Sequence, residues 1–241
     1  MLRRPFVSKQ HALVPASPPA RRWGWSASAP NARWRAVWPI RPKATTPPVT
    51  RLLTAVHADM VGYSRLFQQD DAGTVARLTA LHWERFVPAI SHFKGQLVQT
   101  GGDSLLALFD SVAQAVRCAV ALQCDIASDN GRRPADHPLQ LRIGVDLGDV
   151  IMDGLNFHGD GVIIATRLQA VCPPGGVCVS RAVYERGGER LGLATHPLGT
   201  LALKHVAHPV EAFVLWPPHE WPPAKTTRTE AWESLPGQTI A

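Results

Sequence analysis

The sequence predicts a mixed α/β protein of the α+β type, whose central sheet has the ferredoxin-like, split βαββαβ layout. Segments in which apolar and polar residues alternate, as in strands, are interspersed with stretches of helical periodicity. A Gly-Gly pair joins two neighbouring strand segments, which is typical of a hairpin. The 241 residues are 45% hydrophobic and 18% charged, which is enough apolar material to bury a core.

The elements of the first half follow from local patterns. A strand is predicted at 52–58, ending at Asp59, and a helix at about 72–93, where apolar residues recur at near-helical spacing. Residues 96–100 and 104–109 are predicted to pair as strands across Gly101-Gly102.

The second half begins with Ser111 and Gln114, which have the spacing of a capping box and start another helix. Strict alternation predicts a strand over 139–147, and Gly148-Asp149 is expected to turn the chain into a further strand at 150–152. A helix at about 160–171 is predicted to end before a Pro-Pro-Gly-Gly run.

Composition separates the ends of the chain from its body. Residues 1–50 hold nine Lys or Arg, nine Pro and four Trp but no acidic residue, and we expect a disordered basic arm there. An Arg-rich, acid-free leader is also typical of transit peptides, and this alternative stays open. Residues 52–216 are predicted to form one domain, and 217–241 a Pro-rich tail.

Charge and composition exclude several classes of function. Outside the arm the chain has 16 basic and 19 acidic residues, so the net charge of +6 gives no argument for nucleic-acid binding by the domain. No apolar run reaches the roughly 20 residues of a membrane span. The four cysteines have no zinc-site spacing, which favours reduced thiols in a cytoplasmic protein.

Two aspartates occupy positions suited to chemistry. Asp59 ends the first strand and Asp103 lies in the Gly-Gly turn, and a split βαβ sheet makes their strands neighbours. Two converging carboxylates are suited to Mg²⁺, and the backbone after Gly62 is suited to phosphate. The same residues would also suit a helix cap and an ordinary turn, and spacing alone does not decide between these interpretations.

Four motifs in order resemble the catalytic domain of bacterial class III adenylate/guanylate cyclases. They are 58–64 (ADMVGYS), 100–107 (TGGDSLLA), 142–149 (RIGVDLGD) and 159–168 (GDGVIIATRL), and 202–210 (ALKHVAHPV) is similar to the family's late lysine motif. The resemblance covers 52–216 and implies the class III nucleotidyl cyclase fold. It also implies conversion of ATP to 3′,5′-cyclic AMP and pyrophosphate.

The resemblance assigns roles to individual residues. Asp59 and Asp103, helped by the Met60 carbonyl, match the ligands of two Mg²⁺ or Mn²⁺ ions. Arg167 matches the arginine that stabilises charge on the reacting phosphate, and Lys204 the lysine that holds the distal phosphates. In the family these two pairs come from different subunits, which implies a homodimer with sites at its interface.

Three positions depart from the family's pattern. Gln99 replaces the lysine that reads adenine, and Asn156 replaces the partner aspartate or threonine. Because each amide offers a donor and an acceptor, the two side chains could bind either adenine or guanine. Ile163 replaces the asparagine that orients the ribose, and it offers no hydrogen bond. A catalytically weak or degenerate nucleotide-binding module is therefore the second interpretation. A diguanylate cyclase is the third, because residues 101–104 (GGDS) resemble the start of that family's signature.

Overall fold

The computed structural model describes residues 47–132, 138–154 and 156–218. Most of the predicted basic arm and of the Pro-rich tail lies outside these ranges, and β1 begins at Val49. The described residues form one eight-stranded sheet. Its strands are β1 Val49–Met60, β2 Gln96–Gly101, β3 Ser104–Phe109, β4 Leu141–Asp153, β5 Asn156–His158, β6 Val177–Ser180, β7 Ala194–Leu201 and β8 Val210–Trp216.

The order β2-β3-β1-β4 contains the predicted split βαββαβ layout, in which β3 lies between β1 and β2. The sheet continues as β6-β8-β7 on the far side of β4, and β5 pairs with β4. The predicted hairpin is confirmed, since β2 and β3 pair antiparallel across Gly102, whose φ of +63° suits a glycine.

The helices are α1 Tyr63–Gln69, α2 Asp71–Leu81, α3 Val87–His92, α4 Val112–Gly131, α5 Asp160–Val171 and the short α6 Arg181–Val183. The predicted 72–93 helix exists, but a π-helical turn at His82–Phe86 separates α2 from α3. Pro88 lacks the N–H that would bond to Glu84 in an α-helix, and the wider turn directly precedes it. The predicted cap at Ser111 is confirmed, since its hydroxyl accepts from the Gln114 N–H.

The predicted turn at Gly148-Asp149 is wrong. Strand β4 runs unbroken from Leu141 to Asp153, and β1 pairs with it through this region. Gly148 instead allows a close approach of α5, because a Cβ there would lie 2.8 Å from the Gly161 backbone. The glycine marks helix packing and not a change of direction.

The two faces of the sheet carry different helices. The larger core lies on the α4 face, where Val56, Ala58 and Met60 of β1 join alternate residues of β4. Helix α5 covers the other face, packing on β4 and β1. Asp59 follows the alternation of β1 onto this α5 face, and that placement determines its partners.

Candidate functional site

Strand pairing brings Asp59 and Asp103 together. Asp59 is paired with Ser104 of β3, so the hairpin turn that carries Asp103 lies beside the end of β1. The Met60 N–H donates to the Asp103 carbonyl oxygen at 3.0 Å and ties the two segments. The prediction that the two strands are adjacent is therefore confirmed, and the antiparallel register of β1 and β3 explains the close approach.

The Asp59 carboxylate has two donors on a single oxygen. Oδ2 accepts from an Arg142 guanidinium nitrogen at 3.1 Å and from the Gln169 amide at 3.3 Å. Arg142 stands directly opposite Asp59 on β4, and Gln169 reaches it from α5. Within the described ranges Oδ1 of Asp59 accepts no hydrogen bond, and the Asp103 carboxylate makes none either.

Oxygen ligands of this kind suit the divalent cation that the family resemblance implies. The open oxygens of Asp59 and Asp103 are hard donors at one end of two paired strands. No cluster of three or more His, Cys, Asp or Glu that could hold a metal exists among the residues the structure describes. The residues therefore fit a divalent cation that has two carboxylate ligands, with its other ligands coming from water and phosphate oxygens.

A second pair of predicted residues meets where α5 contacts the loop between β7 and β8. The Arg167 Nε donates to the backbone carbonyl of Lys204 at 3.0 Å, and the Lys204 side chain is exposed. The loop between β7 and β8 is thus attached to α5 at this point. Because the carbonyl holds one edge of the guanidinium, its other donors stay available for an anion.

Helix geometry turns Arg167 away from the Asp59 carboxylate. Gln169 is buried against the sheet, with 5% of its surface exposed. Successive helical residues are rotated by about 100°, so Arg167, two positions earlier, lies roughly 200° away around the helix. Ile163, one turn before Arg167, shares its face and is 40% exposed.

Of the remaining predicted residues, Gln99, Asn156 and Gly62 are exposed, whereas Met60 is buried. Gln99 is exposed on β2 and Asn156 is exposed on β5, and these strands pair with β3 and β4 and not with each other. Gly62 precedes α1 with a φ of +69°, and its carbonyl accepts from Arg65 and Leu66. Met60 is buried, with 3% of its surface exposed.

Two titratable groups lie under α5 near the site. Burial lowers the pKa of His57, and the negative charge of Asp59 partly offsets the effect. Burial raises the pKa of Asp146; the neighbouring Ser180 side chain and Leu147 backbone lower it, and the charge of Asp160 raises it further. Both groups therefore favour their neutral forms more than they would in water.

Sequence reasoning missed Arg142 and Gln169. Arg142 opens the 142–149 motif, but its contact with Asp59 depends on the β1–β4 register, which a single sequence does not reveal. Gln169 follows the 159–168 motif by one residue. A polar residue on the sheet-facing side of a helix was the available signal.

Comparison with known proteins identifies the family of the chain. The model of the adenylate and guanylate cyclase catalytic domain matches residues 48–216. A putative adenylate cyclase 3 of Rhizobium meliloti is 35% identical over 170 residues, which is 70% of this chain and 29% of that protein. An adenylate cyclase of Streptomyces coelicolor is 28% identical over 57% of this chain and 34% of its own length. The chain thus spans well under half of these relatives.

Solved structures agree with this result. The adenylate/guanylate cyclase/hydrolase from Silicibacter pomeroyi is 32% identical, with a TM-score of 0.67 over 71% of this chain and 100% of that one. The adenylyl cyclase CyaB from P. aeruginosa has a TM-score of 0.63 over 73% of this chain and 98% of that one. Its identity of 16% supports the fold alone. No helix in the described ranges is both long and apolar enough to cross a membrane.

Proposed function

Because this chain belongs to the adenylate and guanylate cyclase catalytic domain family, we propose that it cyclises a nucleoside triphosphate, ATP in preference to GTP, in the cytoplasm. The products are the 3′,5′-cyclic nucleotide and pyrophosphate. The observation that carries the proposal is the pair of open carboxylates at Asp59 and Asp103, since two aspartates at paired strand ends suit the cation of a nucleotide triphosphate. The family assignment favours this reaction over a diguanylate cyclase.

Bound Mg²⁺ or Mn²⁺, two ions per site, would neutralise the triphosphate and acidify the ribose 3′-hydroxyl. Asp59 and Asp103, with the Met60 carbonyl, would hold these ions. As the 3′-oxygen gives its proton to water and bonds to the α-phosphorus, the bond from that phosphorus to the bridging oxygen breaks and pyrophosphate leaves. The Arg167 guanidinium stabilises the charge that grows on the reacting phosphate, and Lys204 binds the distal phosphates.

The site is proposed to be shared between two copies of the chain. Arg167 and Ile163 face away from the sheet, whereas Asp59 lies beneath the same helix against Gln169. One copy therefore presents its acidic pair and its basic pair in different directions. A head-to-tail homodimer would bring the acidic pair of one copy to the basic pair of the other, giving two equivalent sites.

Substrate selection is proposed to rest on side-chain amides. Gln99 and Asn156 are both exposed, and each carries a donor and an acceptor that can contact a base edge. With Gln99 donating to adenine N1 and Asn156 accepting from N6, ATP is preferred. Gly62 leaves backbone N–H groups for the phosphates.

The direct test is product analysis. The purified chain is incubated with ATP, GTP, CTP or UTP and Mn²⁺, and cyclic nucleotide and pyrophosphate are measured together. We expect cyclic AMP as the main product. Asp103→Ala should abolish turnover, while Asp110→Ala, at the opposite end of β3 and on the surface, should not change it. Turnover that survives Asp59→Ala or Asp103→Ala would overturn the proposal.

Complementation tests the shared site. A mixture of Asp103→Ala and Arg167→Ala chains, each inactive alone, should recover activity. In a mixed dimer one site lacks both groups and the other has both. Exchange of subunits is checked by co-purification of differently tagged chains, and inactivity despite exchange would refute a site built from two copies.

One observation favours a second candidate function. Ile163 occupies an exposed position on the Arg167 face and has no polar atom in its side chain. A chain of this kind that binds nucleotide with slow or no turnover would act as a regulatory module. Binding of a labelled ATP analogue without pyrophosphate release would support this second function over the first.

A further inference from the structure

The two oxygens of the Asp59 carboxylate have different surroundings among the described residues: Oδ2 accepts hydrogen bonds and Oδ1 does not. Both donors, Arg142 and Gln169, contact Oδ2. Rotation of the carboxylate would break both hydrogen bonds, so its orientation is restrained. Oδ1 is left without a hydrogen-bond donor among the described residues.

The donors themselves are fixed by the fold. Gln169 belongs to a segment of α5 that touches β4 backbone to backbone, since a Cβ at Gly144 would lie 2.3 Å from the Gln169 nitrogen. Arg142 stands opposite Asp59 in the β1–β4 ladder, with 31% of its side chain exposed. Neither contact depends on a mobile surface side chain meeting another by chance.

Partners that orient a metal-binding carboxylate are worth as much as about 10–100-fold in metal affinity in other proteins. Gln169 is the clearer of the two partners here, because it is uncharged and so affects a cation only through the hydrogen bond it donates. Arg142 adds a positive charge that acts against a cation while its hydrogen bond supports the orientation.

We propose that Gln169, together with Arg142, is a positioning residue that fixes Oδ2 of Asp59 and thereby presents Oδ1 to the divalent cation. This inference rests on the proposed function, since it assumes that Asp59 is a metal ligand. It adds two residues outside the expected ligand set. It also makes α5 a support of the cation site as well as the carrier of Arg167.

The test measures Mn²⁺ binding by the full chain without nucleotide, by electron paramagnetic resonance of the free ion. Gln169→Met removes the amide while keeping an unbranched side chain of similar length. We expect it to weaken Mn²⁺ binding by about 10-fold or more. Gln123→Met is the matched control, because Gln123 is also buried and donates to the Leu141 and Gly176 carbonyls on the other face of the sheet.

The control separates positioning from general loss of stability. Both variants should lower the thermal midpoint, but only Gln169→Met should lower Mn²⁺ affinity. Equal effects on Mn²⁺ affinity would overturn the proposal. If Gln169→Met does not fold, Arg142→Lys keeps the charge and shortens the reach, and Mn²⁺ affinity unchanged in that variant would equally overturn it.

Asp59→Asn distinguishes this inference from the proposed function. If Asp59→Asn weakens Mn²⁺ binding and Gln169→Met does not, the positioning role is wrong and the cation site stands. If Asp59→Asn leaves Mn²⁺ binding unchanged, Asp59 is not a ligand and both proposals fail. Loss of binding in Asp59→Asn and Gln169→Met, with Gln123→Met unaffected, is the result we expect.

Discussion

Replacement of Ile163 by asparagine tests whether the chain is a slowed enzyme. Ile163 lies on α5 one turn before Arg167, and 40% of its surface is exposed. Isoleucine and asparagine have similar helix propensities, so the helix itself tolerates the change. The substitution adds one amide donor on the face that carries Arg167.

The expected magnitudes separate a rate effect from a stability effect. One oriented donor to a reacting group is worth about 10²–10³ in kcat, or roughly 2.7–4 kcal/mol. Because Ile163 is already partly exposed, the loss of its apolar contacts should cost only about 1–2 kcal/mol of folding free energy. Each kcal/mol lowers the thermal midpoint by about 2–4 °C in a domain of this size.

The assay measures kcat, KM and thermal midpoint for Ile163→Asn beside Ile163→Leu. Leucine matches asparagine in shape but has no donor, so it controls for the loss of the branch at Cβ. We expect kcat to rise only in Ile163→Asn, with KM little changed, because the new bond forms mainly in the transition state. A lower midpoint with no faster turnover in Ile163→Asn would refute the slowed-enzyme reasoning and favour the binding module.

Three further predictions concern the framework around the site. Gly144→Ala should destabilise the chain by about 1–3 kcal/mol, because its Cβ would lie 2.0 Å from the Ala165 carbonyl oxygen; a chemical-denaturation midpoint equal to wild type would contradict this packing. Asp146→Asn should raise the thermal midpoint at pH 7. Burial raises the pKa of Asp146, so its ionised form lowers the free energy of unfolding at neutral pH. The increase in thermal midpoint should therefore shrink as the pH falls toward 3.8. An increase that does not depend on pH would contradict burial of the ionised carboxylate as its cause. Iodoacetamide at pH 8 should label none of the four cysteines in the folded chain and all four after unfolding. All four are buried, and burial raises the pKa of each thiol, that of Cys172 to about 11. Rapid labelling of the folded chain, measured by mass spectrometry, would contradict this burial.

Local patterns predicted the elements whose ends carry strong signals. Helix α5 has the predicted bounds, because Gly159 precedes it and a Pro-Pro-Gly-Gly run follows it. The β2–β3 hairpin was equally clear from Gly101-Gly102. The prediction at Gly148 was wrong, because the sequence alone does not distinguish a glycine needed for close packing from a glycine needed for a turn.

Contacts between distant segments could not be predicted from a single sequence. The placement of Asp59 beside the Asp103 turn follows from the split βαβ layout and was expected. The donors to Asp59 come from 83 and 110 residues away, and finding them needs the register of β4 and the rotation of α5. The metal, phosphate and base roles of the predicted residues remain predictions until the variants above are measured.

The contact between α5 and β4 has a consequence for how this chain can change over evolutionary time. Gly144, Gly148 and Gly161 set the position of the helix through backbone contacts, so its placement does not depend on the exposed Ile163 side chain or the half-buried Arg167 side chain. Substitutions on the face that carries Ile163 and Arg167 can therefore alter the chemistry of the site without displacing the helix. The fold can stay the same while the substrate preference or the turnover rate changes.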